Sequence, residues 1–367
     1  MADNTRKRKA DHIEKCLKEN VQAREATTGF EDVHFVHKAL PEIDKGKVDL
    51  TTCLWGHKFK APLIVGAMTG GTPEAEKINA NIAEAVESLG LGMGVGSQRA
   101  AIEDPKLAST FSVARKKAPN AFLIANIGAI QLVHGYGLAQ VRKAVKMIEA
   151  DAVAIHLNAL QEAVQPEGQT NFAGVLTKIA SLAAELDVPV IAKETGSGIA
   201  AEEAQKLEAA GVKGIDVGGL GGTSFAAVEH YRSGENQYGA QQWLGEVFWD
   251  WGIPTAASLV EVTQSTKVPV VASGGVRNGT IIAKALALNA SLASVAHPVL
   301  QTAVKSVVET EALLSRLTEE LRNVMFLVGA ENVEQLAKTP VVITGNTNRW
   351  LKNRGFDVKG YGRRGST

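Results

Sequence analysis

Eight short apolar runs of this 367-residue sequence are each followed by glycines or polar side chains. One such position means little, but eight together indicate a binding or catalytic site. In chain order they are Ala67-Met68-Thr69-Gly70-Gly71, Gly96-Ser97-Gln98-Arg99, Asn126, Asn158 with Gln161 and Glu162, Lys193-Glu194, residues 218–223, Ser273-Gly274-Gly275, and Ala296-His297.

Two of these segments have the composition of phosphate-binding loops. Ser273-Gly274-Gly275-Val276-Arg277 leads into a predicted helix, so its backbone can approach a phosphate and the helix would offer free N–H donors. Residues 218–223 form a second glycine-rich segment, which ends in the hydroxyl of Thr223. Ordinary glycine turns are the alternative. Read as phosphate loops, the two segments favour a nucleotide-like cofactor.

Lys193 is the basic residue at the end of the fifth apolar run. A lysine at that position pairs with an anion, faces the electron-rich edge of a reduced flavin, or forms a Schiff base. Glu194 points to the opposite face of a strand, so it is not the automatic partner of Lys193.

Glu162 is a single carboxylate beside amides, which gives little support to acid–base chemistry by paired carboxylates. One carboxylate together with substrate phosphates and water is a usual Mg²⁺ arrangement. A carboxylate that stabilises the start of a helix is the alternative. His156 lies in the fourth run, and a buried, hydrogen-bonded core histidine is the default interpretation for it.

The N-terminal segment Arg8-Lys9-Ala10-Asp11-His12 carries the planar guanidinium of Arg8 and the ammonium group of Lys9. Arginine and lysine in this combination can hold a diphosphate. A solvated charge run is the alternative.

The eight apolar runs alternate with segments of helical periodicity, and this predicts parallel strands joined by helices. The predicted strands cover 62–66, 91–95, 121–125, 152–157, 188–192, 214–217, 268–272 and 291–296. A doubly wound sheet also fits the alternation, but the count of eight favours a (β/α)₈ barrel, whose active sites lie at the carboxyl ends of the strands.

We expect a single domain over residues 1–367. Residues 1–60 form an N-terminal extension that clamps the substrate, 61–309 form the barrel, and 310–367 form C-terminal helices and a tail.

Residues 219–254 are an insertion between the sixth strand and its helix. Of the 5 Trp, 4 Tyr and 10 Phe in the chain, seven fall in this insertion. The insertion is therefore predicted to be ordered, as a lid or as an oligomer contact.

Composition excludes several classes of protein. The 39 basic and 39 acidic residues leave no basic surplus for a general nucleic-acid binder. Two cysteines without a CxxC pattern give neither a disulfide framework nor a zinc site. No apolar run approaches the roughly 18 residues that span a membrane, and the N-terminus has no signal core. We expect a cytoplasmic protein without membrane or nucleic-acid partners.

Taken in order, the motifs resemble those of type 2, FMN-dependent isopentenyl-diphosphate isomerases over nearly the whole chain. The matching stretches are Arg8-Lys9-x-Asp11-His12, Gly66-Ala67-Met68-Thr69-Gly70-Gly71, Gly96-Ser97-Gln98-Arg99, Ala125-Asn126-Ile127-Gly128, His156-Leu157-Asn158-x-x-Gln161-Glu162, Lys193-Glu194-x-Gly196, Gly221-Gly222-Thr223-Ser224, Trp251-Gly252-Ile253-Pro254-Thr255 and Ser273-Gly274-Gly275-Val276-Arg277.

The resemblance implies a homo-oligomer, a tetramer or octamer, that uses reduced FMN, Mg²⁺ and NADPH as reductant to interconvert isopentenyl and dimethylallyl diphosphate. The residues that it assigns to FMN are Ala67, Met68, Thr69, Ser97, Asn126, Lys193, Thr223, Gly275, Arg277, Ala296 and His297. Those that it assigns to the substrate are Arg8, Lys9, His12, Ser97, Gln98, Arg99, Asn158 and Gln161. It assigns Glu162 to Mg²⁺, and Gln161, Lys193 and His156 to catalysis beside FMN.

The sequence departs from the family pattern at four positions. The family usually has Glu at Asp11, an acid at Ile281, and Gly at Asn289 and Ser294. Ser294 precedes the end of the eighth strand, where a side chain can hinder backbone approach to a phosphate.

The implied reaction adds a proton to the terminal alkene carbon and removes another from the neighbouring methylene. Water would trap the cationic species between these steps, so the site must be closed, and the aromatic insertion is the candidate cover. We expect reduced FMN to transfer the protons through its central-ring nitrogen, with Gln161 and water as relays. Lys193 would favour the anionic reduced flavin.

Two other interpretations remain. The first is another FMN-dependent barrel oxidoreductase. A 2-hydroxy-acid oxidase needs a His base with an Arg pair. An enzyme like inosine-monophosphate dehydrogenase needs a Cys in the loop after strand six, and residues 218–254 contain no Cys. The second is a flavin- or phosphate-binding barrel without catalysis.

Overall fold

The computed structural model describes residues 2–235 and 238–365 of the chain. Its strands are β1 Val33–Phe35, β2 Thr52–Leu54, β3 His57–Phe59, β4 Leu63–Val65, β5 Gly92–Gly94, β6 Phe122–Gly128, β7 Ala152–Leu157, β8 Val190–Glu194, β9 Gly214–Asp216, β10 Val270–Ala272, β11 Leu292–Val295 and β12 Val341–Ile343. Its helices are α1 Ala2–Lys18, α2 Pro73–Leu89, α3 Arg99–Glu103, α4 Ser109–Lys117, α5 Ala129–Val133, α6 Leu138–Met147, α7 Ala159–Val164, α8 Val175–Glu185, α9 Ala201–Ala209, α10 Phe225–Glu235, α11 Gly239–Val247, α12 Thr255–Ser265, α13 Gly279–Ala287, α14 His297–Ala303, α15 Val307–Leu327, α16 Val333–Ala337, α17 Gly345–Asn353 and α18 Lys359–Gly362.

Strands β4 to β11 form a closed, parallel barrel, which confirms the predicted fold. Each strand pairs with the next in the chain, and β11 closes the ring on β4 with Ala293 opposite Leu63 and Val295 opposite Val65. Strands β6 and β8 run further than predicted, to Gly128 and Glu194, because their polar ends continue the ladder with β7.

Helix α2 shows how the local sequence sets the boundaries of an element. The hydroxyl of Thr72 accepts the N–H of Ala75, and Pro73 occupies the first helical position. Gly90 ends the helix in the left-handed conformation, with φ of 62°. Its apolar face packs on the barrel, as the spacing predicted.

The amino-terminal end of the barrel is closed by the hairpin of β2 and β3. Trp55 stacks on Phe122 with ring centroids 5.7 Å apart, and Phe59 meets the same ring edge-on at 5.4 Å. The indole N–H of Trp55 donates to the carbonyl of Lys213, so this polar group is satisfied. Ligands can therefore enter the barrel only from its carboxyl end.

The described part of the insertion between β9 and α12 forms helices α10 and α11. Trp249 is buried against Tyr231 and donates its indole N–H to the carbonyl of Gln22. Trp243 and Trp251 remain 64% and 61% exposed in a single chain. Part of the insertion thus packs on its own molecule, and part of it presents apolar side chains to the outside.

The C-terminal region is helical, as predicted, except at one place. Helix α15 packs against α13 and α2, but Val341–Ile343 forms strand β12, which pairs antiparallel with β1. This strand was missed because its partner lies near the other end of the chain. No helix in the described residues is long and apolar enough to cross a membrane.

Candidate functional site

A cavity of about 270 Å³ opens at the carboxyl ends of the barrel strands and is covered by α1 and α10. All predicted site residues but one line it. They are Arg8, Lys9, His12, Ala67, Met68, Thr69, Ser97, Arg99, Asn126, His156, Asn158, Gln161, Glu162, Lys193, Thr223, Gly275, Arg277, Ala296 and His297.

Gln98 is the exception, because it is predicted to contact the substrate but does not line the cavity in this structure. Its side chain is fully buried below the cavity floor. Its amide oxygen accepts the N–H of Asn126 at 2.9 Å, and its amide nitrogen donates to the carbonyl of Ala144 at 2.8 Å. Gln98 therefore joins the end of β5 to β6 and α6, and supports Asn126 from behind.

A row of polar side chains crosses the neighbouring strands β6 to β10 at the mouth of the barrel. Nδ1 of His156 lies 2.7 Å from Oδ1 of Asn126. His156 stands beside Lys193 in the strand register, and Lys193 stands beside Asp216. Oδ2 of Asp216 lies 3.6 Å from Nζ of Lys193, and the hydroxyl of Ser273 donates to its other oxygen.

His156 is uncharged in this row. Burial, followed by the positive charge of Lys193, lowers the pKa of His156 to about 3. At neutral pH the imidazole therefore offers hydrogen bonds and no charge. It cannot act as a cationic acid in the resting site.

Glu194 faces away from Lys193, as the strand alternation predicted. Its carboxylate accepts the backbone N–H groups of Thr195, Gly196 and Ser197 at 2.6, 2.6 and 2.5 Å. Burial raises the pKa of Glu194 to about 7, although these N–H donors and Lys193 act in the opposite direction. Glu194 therefore shapes the loop after β8, and its carbonyl accepts the ammonium of Lys193 at 2.6 Å.

The two glycine-rich segments pack against each other and line one wall of the cavity. Gly274 and Gly275 have φ of 100° and 74°, a conformation that favours glycine. A Cβ on Gly222 or Gly275 would overlap the facing loop, so the backbones meet without side chains between them. Paired backbones of this kind form a concave surface that suits an anion.

The start of helix α13 offers fewer free N–H donors to a phosphate than the sequence predicts. The side chain of Asn278 accepts the N–H of Ile281 at 2.8 Å, and Glu320 accepts the N–H of Gly279 at 2.7 Å. These donors are used within the fold. The glycine loops and the guanidinium of Arg277 remain on the cavity side.

Glu162 is buried and held by three donors at the edge of the cavity. The amides of Asn158 and Gln165 donate to its two oxygens at 2.9 and 2.6 Å, and the N–H of Gln169 donates at 2.8 Å. The amide oxygens of Asn158 and Gln165 have no hydrogen-bond partner among the described residues.

An oxygen-rich site with one carboxylate suits a hard cation. Within residues 2–235 and 238–365, no three His, Cys, Asp or Glu side chains are grouped to hold a metal ion. A cation beside Glu162 would therefore take most of its ligands from a bound molecule and from water.

Three cations line the side of the cavity next to α1. Nζ of Lys9 donates to the carbonyl of Ser97 at 2.5 Å, and burial, followed by the charge of Arg8, lowers the pKa of Lys9 to about 7. Nε of Arg99 lies 2.7 Å from Glu103 on the next helical turn. The three groups form a positively charged wall opposite the glycine loops.

Glu229, on helix α10 of the insertion, is a site residue that the sequence did not reveal. It is fully buried, and its carboxylate contacts Nε2 of His12 at 2.9 Å and Nε of Arg232 at 2.6 Å. The amide of Gln161 lies 3.4 Å away. Burial would raise the pKa of Glu229, but the charges of His12 and Arg232 outweigh it and lower the pKa to about 2.

The carboxylate of Glu229 thus joins the N-terminal helix, the insertion and the end of β7. A sequence signal existed, because an acidic residue in an otherwise apolar stretch of helix needs a partner. Asp216 is a second site residue that the sequence did not reveal, although it too is an acid between apolar neighbours. It is the last residue of the three-residue strand β9, with apolar Ile215 before it and Val217 after it, and its carboxylate faces Lys193.

Two of the four departures from the family pattern occupy special positions. Asn289 has φ of 71°, a left-handed conformation that asparagine tolerates better than most residues. Ser294 is buried on β11, and its hydroxyl lies 2.9 Å from where a Cβ on Gly66 would be, closer than side chains normally approach. Gly66 therefore leaves the room that the Ser294 side chain occupies.

The chain is similar to proteins of known type over nearly its full length. A family model for FMN-dependent dehydrogenases matches residues 1–131 and 130–343. An isopentenyl-diphosphate delta-isomerase of Pyrococcus furiosus is 51% identical over 355 residues, which cover 95% of this chain and 89% of that protein. Another, from Methanothermobacter thermautotrophicus, is 47% identical over 357 residues, which cover 97% of this chain and 99% of that protein.

A solved structure of a mandelate oxidase variant covers 90% of this chain and 95% of its own. The TM-score is 0.62 at 19% sequence identity. A likeness at this level of identity reflects a shared fold.

Proposed function

The chain belongs to the FMN-dependent dehydrogenase family and, within it, to the type 2 isopentenyl-diphosphate delta-isomerases, and from this we propose how its cavity interconverts isopentenyl and dimethylallyl diphosphate. One observation carries the proposal. Two glycine loops, three cations and one buried carboxylate face a single cavity of about 270 Å³. This arrangement provides separate places for a flavin, for a diphosphate and for a divalent cation.

FMN fits the wall of the cavity that the glycine loops form. The close backbones around Gly222 and Gly275, with Arg277, provide the surface for its phosphate. Lys193 and Asn126 stand at the strand ends, where they can contact the ring system. When bound and reduced, FMN supplies an electron-rich face and a nitrogen that exchanges protons.

The diphosphate binds on the opposite side, against Arg8, Lys9 and Arg99. Glu162 would complete this site by holding Mg²⁺, whose charge would offset that of the diphosphate. Asn158 and Gln165 orient the carboxylate through their amide hydrogens. Binding energy from these charged groups, which lie away from the reacting carbons, positions the alkene.

The ionisation of Lys9 makes diphosphate binding pH dependent. Lys9 is neutral above its pKa of about 7, and a bound anion favours its protonated form. Between pH 7 and 8.5, we expect the affinity for inorganic pyrophosphate to fall by up to about tenfold per pH unit. Calorimetric titration measures this change.

The variant Lys9→Arg keeps its charge throughout that range, so its affinity should change much less with pH. Lys206→Arg, on the exposed face of α9, is the matched control and should keep the wild-type slope. Equal slopes in wild type and Lys9→Arg would contradict the role of Lys9.

Helices α1 and α10 exclude water from the reacting carbons. His12 on α1 and Gln161 on α7 both meet the carboxylate of Glu229 on α10. Because Glu229 is buried and charged, separating these elements would remove its contacts with His12 and Gln161 and keep only the one with Arg232 on its own helix, among the contacts described here. The cover is thus held closed by its own polar contacts.

Gln161 is the polar side chain that we assign to proton relay. Its amide nitrogen faces Glu229, and its amide oxygen accepts from Asn158 at 3.3 Å. An amide fixed at both ends can hold one water in a defined position. Neutral His156 contacts Asn126 in the row and leaves Lys193 as the positive charge that faces the cavity.

We further propose NADPH as the reductant, a cytoplasmic location, and a homo-oligomer, a tetramer or octamer. The exposed Trp243 and Trp251 of the insertion support assembly, because apolar side chains of this size are commonly covered by a neighbouring subunit. Light scattering of the purified protein measures the subunit number, and a monomer would contradict this assignment.

The experiment that tests the function supplies isopentenyl diphosphate to the protein with FMN, Mg²⁺ and NADPH. We expect dimethylallyl diphosphate to accumulate until the two isomers reach equilibrium, which proton NMR detects. In deuterated solvent, deuterium should enter at the carbons that gain and lose a proton. Omitting the reductant should stop the reaction. A flavin-containing protein that leaves the alkene unchanged, or that oxidises a 2-hydroxy acid, would overturn the proposal.

A further inference from the structure

Asp216 is a buried carboxylate directly behind Lys193, and no step described above uses it. The two residues lie opposite each other in the pairing of β8 with β9, so their side chains point to the same side of the barrel wall. Lys193 lines the cavity, whereas Asp216 does not. The side chains are only 15% and 8% exposed, so water screens the pair little.

The carboxylate of Asp216 is held by hydrogen bonds on one oxygen and faces Lys193 with the other. Oδ1 accepts the hydroxyl of Ser273 and the N–H of Gly218 at 3.3 Å. Oδ2 faces Nζ of Lys193 at 3.6 Å. This distance is longer than a hydrogen bond, and Nζ instead donates to the carbonyl of Glu194 at 2.6 Å. Asp216 therefore acts on Lys193 chiefly through its charge.

A fixed negative charge at this place offsets part of the positive charge that Lys193 presents to the cavity. Reduction brings two electrons to the flavin ring, and a cation beside the ring favours this change. A carboxylate behind that cation opposes it.

We propose that Asp216 is a positioning residue that, through Lys193, lowers the midpoint potential of the bound flavin. The inference rests on the proposed function, through the placement of FMN against Lys193. Because the reaction has no net redox change, the enzyme has no need of a flavin that is easily reduced. It needs an electron-rich reduced flavin, and a low potential supplies one.

The test is the two-electron midpoint potential of FMN in the variant Asp216→Asn, measured by equilibration with a reference dye. Removing the negative charge should stabilise the reduced form about tenfold relative to wild type, a rise of ~30 mV for a two-electron couple. Asp216→Glu keeps the charge and should stay close to wild type. An unchanged or lower potential in Asp216→Asn overturns the proposal.

Glu261→Gln is the matched control, since it removes another buried carboxylate that pairs with a basic residue, Arg354, away from the cavity. Its flavin potential should equal that of wild type. If Asp216→Asn does not retain FMN, Asp216→Ser removes the same charge with a smaller side chain and is measured in its place.

The outcome separates this inference from the proposed function. A wild-type protein that binds no FMN would contradict the proposed function. A flavin-bound protein whose potential does not rise in the variant contradicts only the role of Asp216.

Discussion

Replacing Lys193 with Ala should reduce isomerase turnover by about 100-fold, the size of effect seen when a preorganised electrostatic group is removed from a site. Lys193 presents the positive charge of the polar row to the cavity, and His156 beside it is neutral. Without that charge, the reduced flavin loses stabilisation and its midpoint potential should fall. The two measurements are the initial rate with isopentenyl diphosphate and the flavin potential.

Two variants distinguish a charge effect from damage to the fold. Lys193→Arg keeps the positive charge and should recover part of the rate and most of the potential. Lys206→Ala, an exposed lysine paired with Glu203 on α9, should behave as wild type. Turnover in Lys193→Ala that equals wild type would exclude the role assigned to Lys193.

Changing Glu162 to Gln should raise the Mg²⁺ concentration needed for half-maximal activity by at least about tenfold, since one protein charge on the cation is lost. Glu162 is the buried carboxylate of the cavity edge, and its donors Asn158 and Gln165 orient it. Binding of Mn²⁺ in the presence of pyrophosphate, followed by electron paramagnetic resonance, gives a second reading without turnover.

Glutamine at position 162 also loses one hydrogen-bond acceptor for its buried donors, which costs about 1–3 kcal/mol. The melting temperature of each variant is therefore measured alongside its Mg²⁺ titration, so that a loss of stability is distinguished from a loss of metal binding. Glu203→Gln on the exposed face of α9 controls for the loss of one acidic group. A Mg²⁺ titration that coincides with wild type would remove Glu162 from the metal site.

The barrel could be predicted because each of its strands carries a local signal. Helix α2 begins at Pro73 after the cap of Thr72 and ends before Gly90, and all three residues are visible in the sequence. The pairing of β1 with β12 carries no such signal. Each strand has three residues, and each gains its hydrogen bonds only from a partner at the other end of the chain.

The site was predictable in position but not in the direction of every side chain. The carboxyl end of a strand locates a residue, and for Ser97 and Arg99 this was enough to place them at the cavity. Gln98 stands between them and turns inward, because its amide satisfies Asn126 and Ala144. That choice depends on groups from three other elements, so spacing alone could not reveal it.

The acidic residues of the site were missed for a related reason. Glu229 and Asp216 gain their meaning from His12, Arg232 and Lys193, which lie on other helices and strands. A buried carboxylate in the structure identifies its partners immediately. In the sequence, the same residue is one acid among 39.

The covering of the cavity by the N-terminal helix has a consequence for the order of assembly during synthesis. Nε2 of His297 lies 2.9 Å from the carbonyl of Cys16 across 281 positions of sequence, and His12 reaches Glu229 on the insertion. Helix α1 is therefore synthesised long before the residues that it packs against, which lie beyond almost the whole ring of strands. A nascent chain that stops before α14 therefore cannot present a finished pocket, and the coenzyme meets a complete binding surface only after that helix has been translated.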